Sequence, residues 1–200
     1  MCGRFESKKI ELSVIDLFKE KGLEIIVEDD IAKRSNEDIR PTEKIMSVLL
    51  KQDVYHLTKV NWGIKFKEDS PLIFNSRIET IKEKSYWNTL LSKNKCIVPM
   101  TGFYEWKTEN KKKVKYRIFL PDNDIFFVPA IYHRDKEDMI FASLITTTPN
   151  KFIEKIHHRM PVILDFANAI SFLNDDNEIN LKRLIPFDDR NKMEMELADD

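Results

Sequence analysis

The second residue of the chain is a cysteine, and its place gives it chemistry closed to the other thiol, Cys96. Removal of Met1, which a small second residue permits, would leave Cys2 with an α-amine and a thiol on adjacent carbons. The amine titrates at about 8 and the thiol at about 8.5, so both are usable nucleophiles close to neutral pH. Such a 1,2-aminothiol condenses with an aldehyde in two steps: the amine forms an imine, then the thiol closes a five-membered thiazolidine. An internal cysteine cannot follow this route because its nitrogen is locked in an amide. By position alone, Cys2 is more simply read as an incidental residue at a chain end.

Four further segments change that balance. Phe74-Asn75-Ser76-Arg77-Ile78-Glu79-Thr80 is a dense polar run after the breaker Pro71. Cys96 to Trp106 sets Glu105 between Tyr104 and Trp106, where burial would raise a carboxyl toward a useful proton-transfer range. Trp62-Gly63 follows a strand pattern, and His157-His158-Arg159-Met160-Pro161 closes a short helical one. Singly, each has a plain structural reading: Asn75 as a turn residue, Glu105 as an edge-strand acid, His157 as a cation at a helix C-terminus.

The elements that must position these groups follow from pattern. Ile10, Val14, Leu17 and Phe18 mark a helix face over Ser7–Lys21, ended by Gly22. Lys44–Leu50 and Val54–Val60 read as a hairpin joined by Lys51-Gln52-Asp53, and Val114 to Leu120 alternates as a half-buried strand. Apolar runs Ile125–Val128 and Met139–Ile145 complete a mainly β stretch. Thr148-Pro149 predicts a helix start with Phe152, Ile153 and Ile156 on its buried face. Asp165 predicts the cap of a helix over Phe166–Leu173, and Leu181–Ile185 a last turn. The sum is a single α+β domain over residues 1–185, with a mostly antiparallel, barrel-like sheet core and peripheral helices. Residues 186–200 are expected to be a frayed acidic tail.

Composition narrows the classes. At 42% hydrophobic and 34% charged residues, the 200-residue chain reads as folded and globular rather than disordered. The N-terminus lacks a secretory stretch and no run reaches the roughly 20 apolar residues of a membrane span, so a cytoplasmic location without membrane contact is expected. Two cysteines, neither in a C-x-x-C pair, argue against structural zinc, and neither metal nor cofactor is expected. The net charge of −1 conceals an asymmetry: the last fifteen residues carry −4, whereas Lys107–Arg117 carries +5. That basic hairpin suits a polyanionic partner without demanding one.

Taken in order, the strings Cys2-Gly3-Arg4-Phe5, Trp62-Gly63, Asn75 to Thr80, Cys96 to Pro99, Gly102 to Trp106, Thr146 to Asn150 and His157 to Pro161 resemble the SOS-response-associated peptidase (SRAP) family. Its members shield abasic sites in single-stranded DNA. The resemblance runs from Met1 to about Leu173, with departures at Pro129–Tyr132, at Ser76 and around Arg40. It implies catalytic roles for Cys2, Asn75, Glu105 and His157: Cys2 as the nucleophile that captures the sugar aldehyde, Asn75 hydrogen-bonding sugar and amine, Glu105 moving protons, and His157 assisting ring opening. It further implies DNA contacts from Arg4, Arg77 and Arg159 to phosphates, base stacking on Trp106 and Trp62, and a wedge at Pro41. The expected partner is single-stranded DNA with abasic sites, including those at single-strand/double-strand junctions. The protein is expected to act as a monomer associated with the nucleoid when bound. A cysteine peptidase using Cys2 and His157 is the alternative.

Overall fold

Left-handed backbone marks the sharpest corners of the chain. The computed structural model describes residues 3–8, 10–28, 36–188 and 192–199. Strands β4 (Lys44–Lys51) and β5 (Val54–Trp62) meet through Gln52 (φ 49°) and Asp53 (φ 64°), with Lys51 opposite Val54. Two consecutive positive φ values make a type I′ corner, whose twist matches that of the paired strands. The same device joins β8 (Gly102–Glu109) to β9 (Lys112–Phe119) through Asn110 (φ 48°) and Lys111 (φ 65°).

The remaining strands are β1 (Phe5–Ser7), β2 (Ile25–Val27), β3 (Asn36–Ile39), β6 (Asn75–Arg77), β7 (Lys95–Met100), β10 (Phe126–Arg134), β11 (Ile140–Thr147), β12 (Met160–Pro161) and β13 (Glu194–Leu197). Neighbours β11, β10, β7, β4 and β5 pair antiparallel, and β5 returns to β11 in parallel, with Phe141 opposite Asn61 and Ala142 opposite Trp62. This last pairing closes a five-stranded barrel and so removes two open sheet edges. A second sheet, in the order β13-β9-β8-β1-β3, lies beside it.

Alternation along the barrel strands explains its two packed faces. Leu49, Val98, Phe126 and Val128 belong to one core with Phe5, Trp62, Phe103 and Ile118, where the second sheet is covered. Their chain neighbours Val48, Ile97 and Phe127 belong to the other, with Val14 and Phe18 of α1 (Ile10–Glu20) and Phe172 of α4 (Phe166–Asn174). Strands buried on both faces read as continuous apolar runs, as Ile125–Val128 and Met139–Ile145 do.

Several expectations hold and several need correction. Gly22, at φ 66°, closes α1. The Asp165 side chain accepts from Asn168 N–H at 2.8 Å and caps α4 as predicted. Two helices, α2 (Ile78–Glu83) and α3 (Ser85–Lys93), interrupt the stretch expected to be mainly strands. The helix expected from Thr148-Pro149 is a single 3-10 turn, Ile153–Lys155. Its N-cap position, Phe152, makes no side-chain cap; Asn150 Oδ1, not Thr148, accepts the Ile153 N–H at 2.9 Å. The last predicted turn is α5 (Asn177–Arg183), capped by Asp176. The acidic segment expected to fray instead contributes β13, which pairs with β9 from Glu194 opposite Phe119 to Leu197 opposite Tyr116. Its Glu196 reaches Arg117 Nη1 at 3.0 Å, so the acids at the end of the chain answer the basic hairpin.

Candidate active site

The site is built where β1 lies along β8. Phe5 pairs with Phe103 and Glu6 with Gly102, and Tyr104 N–H donates to the Arg4 carbonyl at 2.9 Å. This antiparallel ladder carries Arg4 alongside Tyr104, the residue before Glu105. Cys2, the proposed nucleophile, lies with Met1 outside the described residues.

Glu105 is 2% exposed. Burial pushes its carboxyl up to about 7, outweighing the donors and positive charges around it, the Trp106 backbone N–H and Lys113 among them. Near neutral pH such a group can both hold and release a proton. Its Oε1 is 4.0 Å from His157 Nδ1, so the structure brings these two predicted residues together.

His157 follows the 3-10 turn, its N–H donating to the Ile153 carbonyl at 2.8 Å. Arg159 N–H donates to His157 Nδ1 at 3.0 Å, and the Arg159 carbonyl lies 3.2 Å from the same nitrogen. Burial lowers the imidazole pKa, and positive charge nearby, that of Lys113 included, acts in the same direction, which favours the neutral ring near pH 7. His158 stacks on it at 4.3 Å between ring centroids and is itself exposed.

Asn75 opens β6, which runs parallel to β11 with Asn75 opposite Leu144. The preceding carbonyl, of Phe74, accepts from Trp62 Nε1 at 2.8 Å and from Leu144 N–H at 3.0 Å. One residue later, the hydroxyls of Ser76 and Ser143 meet at 2.8 Å. An aromatic chain ties this wall to the first: the Phe5 ring lies 5.0 Å from Trp62, and Trp62 lies 6.0 Å from Phe74. Asn75 and Arg77 border a cleft of about 390 Å³ that Thr80, Lys84 and Trp87 also line.

The expected DNA-contact residues divide into two groups. Arg77 is exposed at the end of β6, Trp106 is half-buried on β8, and Pro41 is half-buried at the β3–β4 corner. Arg4 is half-buried, its Nε 3.1 Å from Asp38 Oδ1 and its guanidinium 5.6 Å from the Trp106 ring centroid. The other two face inward. Trp62 is wholly buried and offers no face to a base. Arg159, also buried, donates from Nη1 and Nη2 to the Glu79 carboxylate at 2.9 and 3.0 Å and from Nη2 to the Thr146 carbonyl at 2.8 Å. A phosphate would have to displace Glu79 from those two nitrogens, so the expected outward role of Arg159 is corrected to an inward one.

Sequence reasoning missed Glu6, buried on β1. Arg117 donates to it from Nε at 3.1 Å and from Nη2 at 2.8 Å, Thr101 Oγ1 donates at 2.6 Å, and Lys8 Nζ lies at 3.3 Å. Burial alone would raise this carboxyl, but the Arg117 and Thr101 hydrogen bonds and the Arg117 charge hold it below the ordinary range. The cluster pins β1 to β8 and β9 immediately downstream of the proposed nucleophile. The available signal was adjacency: Glu6 directly follows the Cys2–Phe5 string.

Comparison with known proteins bears on the family and the fold. The family model described as SOS response associated peptidase (SRAP) matches residues 1–198. Abasic site processing protein YoqW of Bacillus subtilis (strain 168) is 30% identical over 192 residues, covering 88% of this chain and 82% of the relative. Abasic site processing protein YedK of Escherichia coli (strain K12) is 27% identical over 181 residues, covering 88% and 81%. A solved protein from Bacteroides thetaiotaomicron superposes with a TM-score of 0.79 at 25% identity, covering 99% of this chain and 92% of that one. One from Bordetella bronchiseptica gives 0.78 at 15% identity, covering 99% and 100%, a likeness of fold.

Proposed function

The chain belongs to the SOS response associated peptidase family, and on that footing we propose that it captures abasic sites in single-stranded DNA as a covalent thiazolidine through Cys2 after loss of Met1. The observation that carries this reading is Glu105. It is a buried carboxyl pushed up to about 7, 4.0 Å from the His157 imidazole and next to Tyr104, to which Arg4 is bonded.

The chemistry balances with groups the chain supplies. The ring-opened abasic sugar presents an aldehyde at C1′. The Cys2 amine adds to it, and Glu105 in its acid form hands a proton to the departing oxygen as water leaves and the protonated imine forms. The Cys2 thiol then adds to the imine carbon, its proton returning to the carboxylate, and the ring closes. One water is lost overall and nothing is oxidised. Holding aldehyde and aminothiol together replaces a slow bimolecular encounter, an advantage of about 10⁵ M or more in effective concentration. His157 assists opening of the sugar ring, and the Asn75 amide hydrogen-bonds sugar and amine. Slow ring closure would leave the imine to β-eliminate, giving a secondary lyase activity.

Arg4 and Arg77 hold the flanking phosphates, Trp106 stacks a base, and Pro41 is the wedge at a single-strand/double-strand junction. Trp62 and Arg159 serve behind this surface. We read the protein as a monomer that works in the cytoplasm on nucleoid DNA and shields the lesion.

The test is incubation of purified protein with single-stranded DNA carrying one abasic site, followed by a denaturing gel. Wild type is expected to give a heat-stable shifted band and Cys2→Ala none. Cys2→Ser, which forms an imine but no thiazolidine, is expected to nick DNA without a durable adduct. A cysteine peptidase using Cys2 and His157 would give no DNA adduct and would lose peptide turnover in both variants.

A further inference from the structure

Two of the proposed catalytic side chains come from segments far apart in sequence, Asn75 on β6 and His157 after the 3-10 turn. One ion pair joins those segments. Glu79 sits in the first turn of α2, the helix that continues directly from β6. Its two carboxylate oxygens accept from Arg159 Nη1 at 2.9 Å and Nη2 at 3.0 Å, a two-point match of planar groups that fixes orientation as well as distance. The Arg159 Nη2 also donates to the Thr146 carbonyl of β11, the strand against which β6 is paired. Arg159 is therefore held at its side chain by the Asn75 wall. At its backbone it holds the imidazole: its N–H donates to His157 Nδ1 at 3.0 Å. The Arg159 carbonyl lies 3.2 Å from the same nitrogen, so the Arg159 backbone decides which partner Nδ1 meets, and through it one ion pair sets the position and the tautomer balance of His157.

We propose that Glu79 is a positioning residue, acting through Arg159 to fix the His157 imidazole and to lock it in register with Asn75. The inference rests on the proposed abasic-site chemistry for its rate readout but not for its geometry. Glu79 touches no reacting atom in this account. Its carboxylate lies on a half-exposed side chain, yet the guanidinium it holds is 8% exposed, and that charge would be left buried without a counter-ion if Glu79 were neutralised. Among the described residues, the groups that face His157 are Glu105 from β8, His158 beside it, the Arg159 backbone and the charge of Lys113 on β9. Arg77 is the other charge acting on Glu79.

The experiment compares wild type, Glu79→Gln and Glu79→Asp by three readouts. These are single-turnover capture of an abasic oligonucleotide, affinity for single-stranded DNA carrying a reduced, aldehyde-free abasic analogue, and ¹⁵N shifts of the His157 ring nitrogens across pH. Glu79→Gln is expected to slow capture about tenfold, the scale of a sub-ångström misplacement of a reacting group. It should leave analogue affinity within twofold and move the two ring-nitrogen shifts toward a tautomer-averaged value. Glu79→Asp should restore most of the rate and the wild-type tautomer. Unchanged shifts in Glu79→Gln, or a loss confined to analogue affinity, would overturn the proposal. If Glu79→Gln does not fold, the Glu79→Asp shifts alone decide, and shifts equal to wild type with reduced capture contradict it. Absence of any adduct from wild type would defeat the capture chemistry while the ring-nitrogen readout still judges Glu79.

Discussion

Glu6 and Glu105 sit on neighbouring strands, 1% and 2% exposed, and behave oppositely. Glu6 pairs with Gly102 and so shares a sheet face with Tyr104 and Arg117; Glu105 shares the other face with Phe103. At Glu6 the Arg117 guanidinium and the Thr101 hydroxyl outweigh burial, and the carboxyl is held low. At Glu105 burial outweighs the donors and positive charges around it, the Trp106 N–H and Lys113 among them, and the carboxyl rises to about 7. Burial therefore does not decide what a carboxylate is for. A matched cation turns it into a structural anchor; dominance of burial turns it into an acid that can work at neutral pH.

Neutralising each acid separates the two roles. Glu105→Gln is expected to slow single-turnover capture about 10³-fold, within the range for loss of a general acid, with the fold intact by circular dichroism. A change below tenfold would remove Glu105 from proton transfer. Glu6→Ala leaves the Arg117 charge with less compensation and is expected to cost about 3 kcal/mol of stability in urea unfolding. A cost under about 1 kcal/mol would mean the cluster is not the anchor of β1.

The opposite shifts also give opposite pH signatures. Folded Glu105 keeps a proton that the unfolded chain has released. Its burden on stability is absent below the ordinary carboxylate range, grows as pH rises toward about 7, and then stays constant. Glu105→Gln should thus gain on wild type between pH 5 and 8, by about 3 kcal/mol at the upper end. Glu6, held low, contributes stability above the ordinary range that is lost as pH falls through its lowered value. Parallel stability curves for wild type and Glu105→Gln would show that the carboxyl titrates normally. The smallest effect concerns the exposed arginine: Arg77→Ala should weaken binding evenly across sequences and reduce the salt slope by about 0.7, one phosphate contact on a single strand. An unchanged slope would remove Arg77 from the phosphate contacts.

How much of this was legible in the sequence depends on whether the deciding interaction is local. The Asp165 cap, the Gly22 stop and the Gln52-Asp53 corner are set by residues within a few positions, and all were readable. Helices α2 and α3 are not legible in the same way. Their N-cap positions, Arg77 and Lys84, make no side-chain cap, so the start signals were absent, although Trp87, Leu90 and Leu91 carry helical spacing. Trp62 and Trp106, like Arg77 and Arg159, are identical in type. Only the closure of the barrel and the placement of Glu79 decide which member of each pair faces inward. The β13 strand was hidden for the same reason, since its stability comes from β9 and Arg117 and not from its own acidic sequence.

The most direct test weighs the product itself. Purified protein is incubated with a single-stranded oligonucleotide bearing one abasic site, and the mixture is measured by intact mass spectrometry under denaturing conditions. The expected species has the mass of the chain without Met1, plus the oligonucleotide, less one water, and it is absent from Cys2→Ala. A population retaining Met1, or processed protein that leaves the damaged strand at its free mass, would contradict the account.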